Sequence, residues 1–324
     1  MLFAFLASVT SAAQTFDLEQ FEQVFRPRLR LDGRWLPTTK ATNRNNTFED
    51  RSGAAALTFP ITRTFNVNAQ LDLTADSWKD LLLSGIRVRA SQVMGTVRYG
   101  YREVSFQDGF AGPRSLHTGA LGLMGISLTK RFRILFWNAN VNVSEENATL
   151  KDPALRFTGM IGKMRVKGLH RQFFYGLFVI ASDGLIAPMP FIGGQVPIAK
   201  KLAFNYVLPV QMNFAWRPTG GTSLQAGAGL DGWRSGATNN VATGEGRLNL
   251  NYLALRGFIS GRKKLNNTFV LRADVGYSFH YLSYTVDRGE FDRIQLQPGL
   301  TATVGLNILF GKSVVEQILN DLLH

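Results

Sequence analysis

Charged side chains recur at alternate positions in several stretches of this sequence. Arg87 and Arg89 lie two positions apart, and so do Arg272 and Asp274. Facing an enclosed space, such arginines would favour anionic solutes. The same side chains would equally suit an internal arginine–carboxylate network that closes the space, with Asp231 and Asp274 as partners. The full candidate set comprises Arg87, Arg89, Asn205, Asp231, Arg247, Arg272, Asp274 and His280.

Two glycine motifs resemble nucleotide-binding loops but lack the spacing or context that such loops require. GLNILFGKS has five residues between Gly305 and Gly311, whereas a P-loop has four. GAGLDG, at 227–232, lies inside an alternating stretch and does not lead from a strand into a helix. The sequence therefore predicts no nucleotide cofactor.

Metal and hydrolytic chemistry find little support in the sequence. The histidines, His117, His170, His280 and His324, show no metal-ligand spacing, and the chain has no cysteine. It also has no Gly-x-Ser-x-Gly motif. We predict a protein that is not an enzyme, with no catalytic residue, no metal and no cofactor; a lipid hydrolase is the least favoured alternative.

The stretches that carry the candidate residues alternate between apolar and polar side chains. In TFVLRADVGYSFHY, at 268–281, every second residue from Phe269 onward is apolar. LAFNYVLPVQMNFAW and IQLQPGLTATVGLNILF follow the same period. A period of two is typical of β-strands. Runs of about 10–15 residues exceed the usual strand of a soluble domain and cover the roughly 9–11 residues that cross a membrane.

The composition of the two faces indicates which one meets solvent. A barrel of about 12–14 strands is too wide for its own side chains to fill. The polar faces are rich in Gly, Asn, Gln, Ser and Thr, which suits a lumen better than a soluble exterior. We therefore predict that the apolar faces meet lipid and that Arg272, Asp274 and His280 point inward.

The chain is basic, with 36 Lys and Arg against 23 Asp and Glu and a net charge of +13. These residues are scattered, and no nucleic-acid-binding motif accompanies them. A positive lumen or an anionic lipid surface accounts for the charge, and we predict no nucleic-acid partner.

The two ends of the sequence differ from the alternating centre. Residues 1–13, with an apolar run and small residues before Gln14, have the pattern of a secretory signal peptide, although no basic residue precedes the run. We assign 14–24 to a periplasmic segment and 25–310 to the barrel. Residues 311–324 repeat apolar side chains at helical spacing, which predicts an amphipathic tail.

The stretch TVGLNILF, at 303–310, resembles the terminal-strand signal of Gram-negative outer-membrane β-barrels. The matching positions are Thr303, Gly305, Ile308 and Phe310. In that family the signal usually ends the protein, whereas here a tail follows. The resemblance implies export to the cell outer membrane, contact with its lipid and lipopolysaccharide, and insertion by the barrel-assembly machinery. From about Gln14 to Phe310 the chain is similar to Bacteroidota-type outer-membrane barrels of unknown function.

The sequence therefore predicts an all-β protein, a closed antiparallel transmembrane β-barrel of about 12–14 strands with a short C-terminal amphipathic helix. A passive channel for small solutes, with a preference for anions, is the favoured function. A closed structural or partner-binding barrel without transport is the alternative. The oligomeric state stays open.

Overall fold

The computed structural model describes residues 26–42, 47–69, 86–107, 114–129, 133–146, 153–166, 172–182, 185–238, 247–286 and 290–311. These residues form fifteen strands: β1 (Arg28–Lys40), β2 (Thr47–Ala69), β3 (Ile86–Gln107), β4 (Arg114–Thr129), β5 (Arg133–Glu146), β6 (Ala154–Val166), β7 (Gln172–Ser182), β8 (Leu185–Ala199), β9 (Leu202–Leu208), β10 (Gln211–Thr219), β11 (Thr222–Thr238), β12 (Arg247–Lys264), β13 (Phe269–Val286), β14 (Glu290–Gln295) and β15 (Gly299–Leu309). Within these ranges no helix is long and apolar enough to span a membrane.

The strands close into one antiparallel barrel. Each strand from β1 to β13 pairs with the next, and β15 pairs with both β13 and β1. β14 and β15 pair with successive parts of β13, so they form one interrupted strand and the wall has 14 strands. Pro298, which has no N–H for a ladder, lies in the interruption. The predicted closed antiparallel barrel is confirmed.

Several sequence-based assignments fall outside the described residues. The predicted signal peptide at 1–13 and the periplasmic segment at 14–24 belong to this group. The predicted helical tail is described only at Gly311, which has a left-handed φ of 69°. These assignments remain predictions.

Two rims define the direction of the barrel. At the proximal rim β1 begins and β15 ends, with Arg28 paired to Leu309. At the distal rim β1 ends and β2 begins, with Lys40 paired to Thr47.

The wall separates apolar and polar side chains as the alternation predicts. On β13, Phe279 is 57% exposed on the outer surface, whereas its neighbour His280 is 2% exposed. Leu271, Val275 and Tyr277 share the outer face with Phe279, and all are exposed. Successive side chains of a strand point to opposite faces. The bulky apolar residues therefore face outward and the polar ones inward.

Three apolar clusters of the described residues nevertheless lie inside the barrel, and the smallest consists of Met94, Met124 and Ile126. The distal cluster, near the distal rim, consists of Leu36, Ala41, Phe48, Val104, Leu116, Trp233, Ala237, Leu250, Tyr252, Ala254, Leu282, Ile294 and Leu296. Phe48 and Trp233 both stack against Tyr252, each with 5.8 Å between ring centroids. The lateral cluster consists of Phe136, Met164, Phe174, Phe178, Ile180, Met189, Phe191 and Val210. Because these side chains are closely packed, the space that stays open inside the barrel lies at its centre, where the lining is polar.

The hairpin of β9 and β10 is shorter than its neighbours on the distal side. β9 pairs with β8 only as far as Ile192, and β10 pairs with β11 only as far as Gly229. On β8, Pro188 and Pro190 lie beyond Ile192, where the described residues include no partner strand on the β9 side. A proline nitrogen facing that edge loses no ladder bond. The same truncation leaves the distal half of β11 without β10 beside it.

Candidate functional site

A polar cavity of about 310 Å³ occupies the centre of the barrel. Its charged lining is strongly unequal, because nine arginines and three aspartates contribute to it. The arginines are Arg28, Arg30, Arg34, Arg98, Arg102, Arg156, Arg234, Arg256 and Arg272, and the aspartates are Asp32, Asp231 and Asp274. Serine, threonine and asparagine side chains supply most of the remaining polar surface. The lining therefore presents hydrogen-bond donors and net positive charge to the cavity.

The distal half of β11 projects into the lumen. Seven consecutive residues, 229–235, line the cavity, whereas an ordinary wall strand exposes alternate residues to it. This part of β11 also contacts β5 and β4, which are distant from it in the order of the wall. The Ser144 hydroxyl of β5 donates to the carbonyl of Arg234 at 3.4 Å. We call residues 229–235 the inner segment.

Charged and polar contacts hold the inner segment to the wall at β1 and β2. Arg34 on β1 pairs with Asp231, with 2.5 Å between Nη1 and Oδ2. The indole Nε1 of Trp233 donates to Asp50 on β2 at 3.1 Å. Asp50 also accepts from Arg102, whose guanidinium lies 4.8 Å from the centre of the Trp233 ring. These contacts cross the lumen, so they fix the inner segment in position.

Three further ion pairs at the cavity join residues of the wall itself. Asp274 on β13 pairs with Arg256 on the neighbouring β12 and has Arg272 Nε at 3.7 Å. Arg30 donates to Asp32 at 2.6 Å on the same face of β1. The aspartates on the cavity wall are therefore all engaged with arginine. No cluster of His, Asp and Glu within the described ranges could hold a metal ion.

Five of the predicted lumen residues are placed inside the barrel. Asp231, Arg272 and Asp274 line the cavity. Asn205 is buried behind it and donates to Asn213 at 3.0 Å. His280 is buried too: its Nε2 is 2.8 Å from the carbonyl of Gln297 and its Nδ1 is 2.9 Å from the Tyr252 hydroxyl.

Those contacts make His280 a wall residue. A carbonyl only accepts, so Nε2 donates to Gln297, and Nδ1 of a neutral ring accepts from Tyr252. Both nitrogens of His280 are thereby used in holding β13 to β12 and to the strand interruption.

Three predicted lumen residues lie on strands, but their side chains are outside the described part. Arg87 and Arg89 are near the start of β3, and Arg247 is the first residue of β12. Their role in the lumen stays a prediction.

The residues of the proposed assembly signal lie on the strand that closes the barrel. Thr303 and Gly305 pair with Arg34 and Asp32 of β1, and Ile308 pairs with Leu29. Phe310 follows directly and is exposed. The use of these residues by an assembly machinery stays a prediction.

Sequence reasoning missed the residues through which the inner segment is anchored, chiefly Trp233 within it and its partners on the wall, Arg34 and Asp50. The sequence did contain a signal that Arg34 faces the lumen. Every second residue from Arg28 to Arg34 is charged, so these side chains share one face of β1. Asp50 and Trp233 lie in segments whose alternation is ordinary. Only the folded structure brings them together.

The fold is that of an outer-membrane β-barrel, and a solved outer-membrane channel shares it. An outer-membrane channel of the COG4313 group from Pseudomonas putida F1 has a TM-score of 0.51 at 10% identity, covering 91% of this chain and 100% of that one. The β domain of the Bordetella autotransporter BrkA gives 0.37 at 11% identity, covering 88% and 100%. The transport unit of AIDA-I from Escherichia coli gives 0.38 at 9% identity, covering 95% and 97%.

Comparison of the amino-acid sequence with known families and proteins does not assign this chain to a family. No protein-family model matches the chain. No curated protein sequence matches it either. At identities near 10% the structural likeness shows the fold alone, so the function has to be argued from the lumen.

Proposed function

We propose that this barrel is an outer-membrane channel that admits small anionic solutes to its lumen. The observation that carries the proposal is the composition of the cavity wall, with nine arginines against three aspartates. Basic side chains lining a pore favour anions. Walls of low dielectric strengthen the field of those charges and raise the local concentration of anions.

The shape of the lumen limits the solute. The cavity of about 310 Å³ lies at the lower end of the roughly 300–1,000 Å³ typical of small-molecule sites. The inner segment and the distal cluster occupy much of the remaining interior on the distal side. A solute that passes this lumen is therefore small, comparable to an inorganic anion or a short organic acid.

Planar-bilayer recording tests the proposal. We expect the purified protein to give discrete currents, and a salt gradient to shift the reversal potential toward the anion. R272Q removes a cavity charge and should lower the anion preference. R51Q removes the same charge from a side chain at the outer surface and should leave the preference unchanged. Absence of current at every voltage would contradict a channel.

A closed barrel without transport is the second candidate. The packed distal cluster and the contacts of Asp231 and Trp233 across the lumen favour it. This candidate predicts no current from the wild type, and no swelling of protein-containing liposomes in solutions of small organic acids. Its anionic partner, if any, would then bind in the cavity without passing through.

A further inference from the structure

Three arginines of the cavity lie in one row across the wall. Arg30 on β1 pairs with Ala56, Ala56 with Arg98, Arg98 with Ala120, Ala120 with Asn142, and Asn142 with Arg156. All six side chains therefore point into the lumen along one cross-strand row of the barrel wall. Ala56 and Ala120 are short, so they leave room beside each guanidinium. We call Arg30, Arg98 and Arg156 the arginine row.

The members of the arginine row differ in their partners. Arg30 has Asp32 at 2.6 Å. Among the described residues, no carboxylate pairs with Arg98 or Arg156. The Nε and Nη1 atoms of Arg156 are buried and have no hydrogen-bond partner. A buried donor of a charged group left without an acceptor is strongly unfavourable.

The charged surroundings of Arg156 are positive. The two charged groups that act on it most are Arg234 of the inner segment and Arg98. The carbonyl of Arg234 accepts a hydrogen bond from Ser144, which lies two residues beyond Asn142 on β5. This contact places the backbone of Arg234 beside the end of the arginine row. Neighbouring strands lie about 4.8 Å apart, so Arg98 and Arg156 are roughly 14 Å apart along a curved wall, and long side chains can converge. The guanidinium groups repel one another, and an anion bound between them would lower that electrostatic energy.

Polar side chains without charge complete the surroundings. Asn142 lies between Ala120 and Arg156 in the row. Asn140 and Thr158 are cross-strand partners that line the same cavity, two residues nearer the proximal rim than Asn142 and Arg156. The Asn140 amide donates to the Thr158 hydroxyl at 3.5 Å, a long contact that a better acceptor would replace.

We propose that Arg98 and Arg156, with Arg234 beside them, form a binding site for an oxyanion group. The guanidinium fork matches a carboxylate or a phosphate, because each presents two oxygens that accept its two parallel N–H bonds. The site takes the anionic group of a small solute in the lumen and neutralises the excess charge of the wall. This site deepens the proposed function, because solute reaches it only through a lumen open to water.

Calorimetric titration of the purified barrel in neutral detergent at low ionic strength tests the site. Sodium phosphate and sodium succinate are the probes, and glycerol is the uncharged control. We expect saturable binding of at least one probe by the wild type and by R51Q. In R98Q and R156Q the affinity should fall by about tenfold or more, since each loses charge-assisted hydrogen bonds. R156K, which keeps the charge, should retain part of the affinity.

The probes and variants separate the outcomes. Binding of phosphate alone assigns the site to phosphoryl solutes, and binding of succinate alone assigns it to carboxylates. Equal affinity in wild type, R98Q and R156Q would overturn the site, as would no saturable binding of either probe. Where one variant does not fold, the other carries the comparison, together with the rise in unfolding temperature that each probe gives over sodium chloride of equal ionic strength.

The site and the channel fail in different ways. Binding without any bilayer current would leave the site in place and remove the channel. Anion-selective current with no loss of affinity in R98Q and R156Q would leave the channel and remove the site.

Discussion

Arg34 and Asp231 form an ion pair across the lumen, although three strands separate β1 from β11 along the shorter way round the wall. Both side chains are nearly inaccessible to solvent. The pair therefore holds the inner segment against the wall at β1. Its position makes it a determinant of lumen width as well as of stability.

We expect D231N to lower stability and widen the lumen. Removing one member of a buried pair leaves the other charge unpaired, which costs up to about 3–5 kcal/mol. Thermal unfolding in detergent and single-channel conductance measure the two effects. D32N is the matched control, because Asp32 pairs with Arg30 on its own strand and anchors nothing across the lumen. Equal behaviour of D231N and D32N would contradict a role of the cross-lumen pair.

Asp50 should matter more than Trp233, its neighbour across the lumen. Asp50 is fully buried and accepts from both Arg102 and the Trp233 indole. D50N leaves Arg102 without its carboxylate, at a cost of up to about 3–5 kcal/mol. W233F removes one hydrogen bond to a carboxylate, worth about 1.5–3 kcal/mol net, and keeps the six-membered ring. Urea or thermal unfolding should therefore rank D50N well below W233F. The reverse order would show that ring packing, not charge, dominates at this contact.

The outer face of β13 should reject charge. Val275 is 57% exposed on that face. We expect V275R to destabilise the barrel in lipid by about 2–4 kcal/mol at the membrane centre, and by less nearer a rim. V275L is the control of similar apolar character, and unfolding from liposomes is the measurement. A neutral effect of V275R would indicate that this face meets water.

The strands could be predicted because their signal is local. The alternation around Arg272 and Asp274 fixes both the strand and the inward direction of these residues, and lipid on one side keeps the outer positions apolar. The closing position of Thr303 and Gly305 follows from a short motif near the end of the alternating region. These features need no knowledge of distant contacts.

The cavity itself could not be predicted, because it depends on β11 losing one of its two neighbours. The short β9–β10 hairpin ends the pairing of β11 with β10 at Gly229, while the pairing with β12 continues, and beyond that point Asp231 reaches Arg34. The segment from Gly227 to Trp233 reads as an ordinary strand. Similarly, Arg98 and Arg156 become neighbours only through the register of four successive strands.

Prolines on β8 should be replaceable without loss of stability. Pro188 and Pro190 lie on the part of β8 beyond its pairing with β9. We expect P188V/P190V to unfold at nearly the wild-type temperature, since neither proline interrupts a ladder. V179P is the contrast, because Val179 pairs with Gly159 on one side and with Pro188 on the other. A proline there removes a ladder hydrogen bond and should lower the unfolding temperature clearly. Similar losses in both variants would contradict the unpaired edge.

A single methyl group should be costly where β6 and β7 meet. Gly162 and Gly176 are cross-strand partners beneath the rings of the lateral cluster. A Cβ at Gly176 would lie 2.6 Å from Phe191 Cζ and 2.7 Å from the Gly162 Cα. Because one of these atoms is backbone, the strands themselves must shift.

We therefore expect G176A to destabilise the barrel by about 1–3 kcal/mol, as overpacking does in a dense core. G119A is the matched control, because a Cβ at Gly119 meets no atom within 4 Å. Its effect should stay within about 0.5 kcal/mol. Unfolding of both variants by heat in one detergent measures the difference. Equal stability of G176A and G119A would mean that β6 and β7 separate at this point without cost, and hence that the lateral cluster is loosely packed.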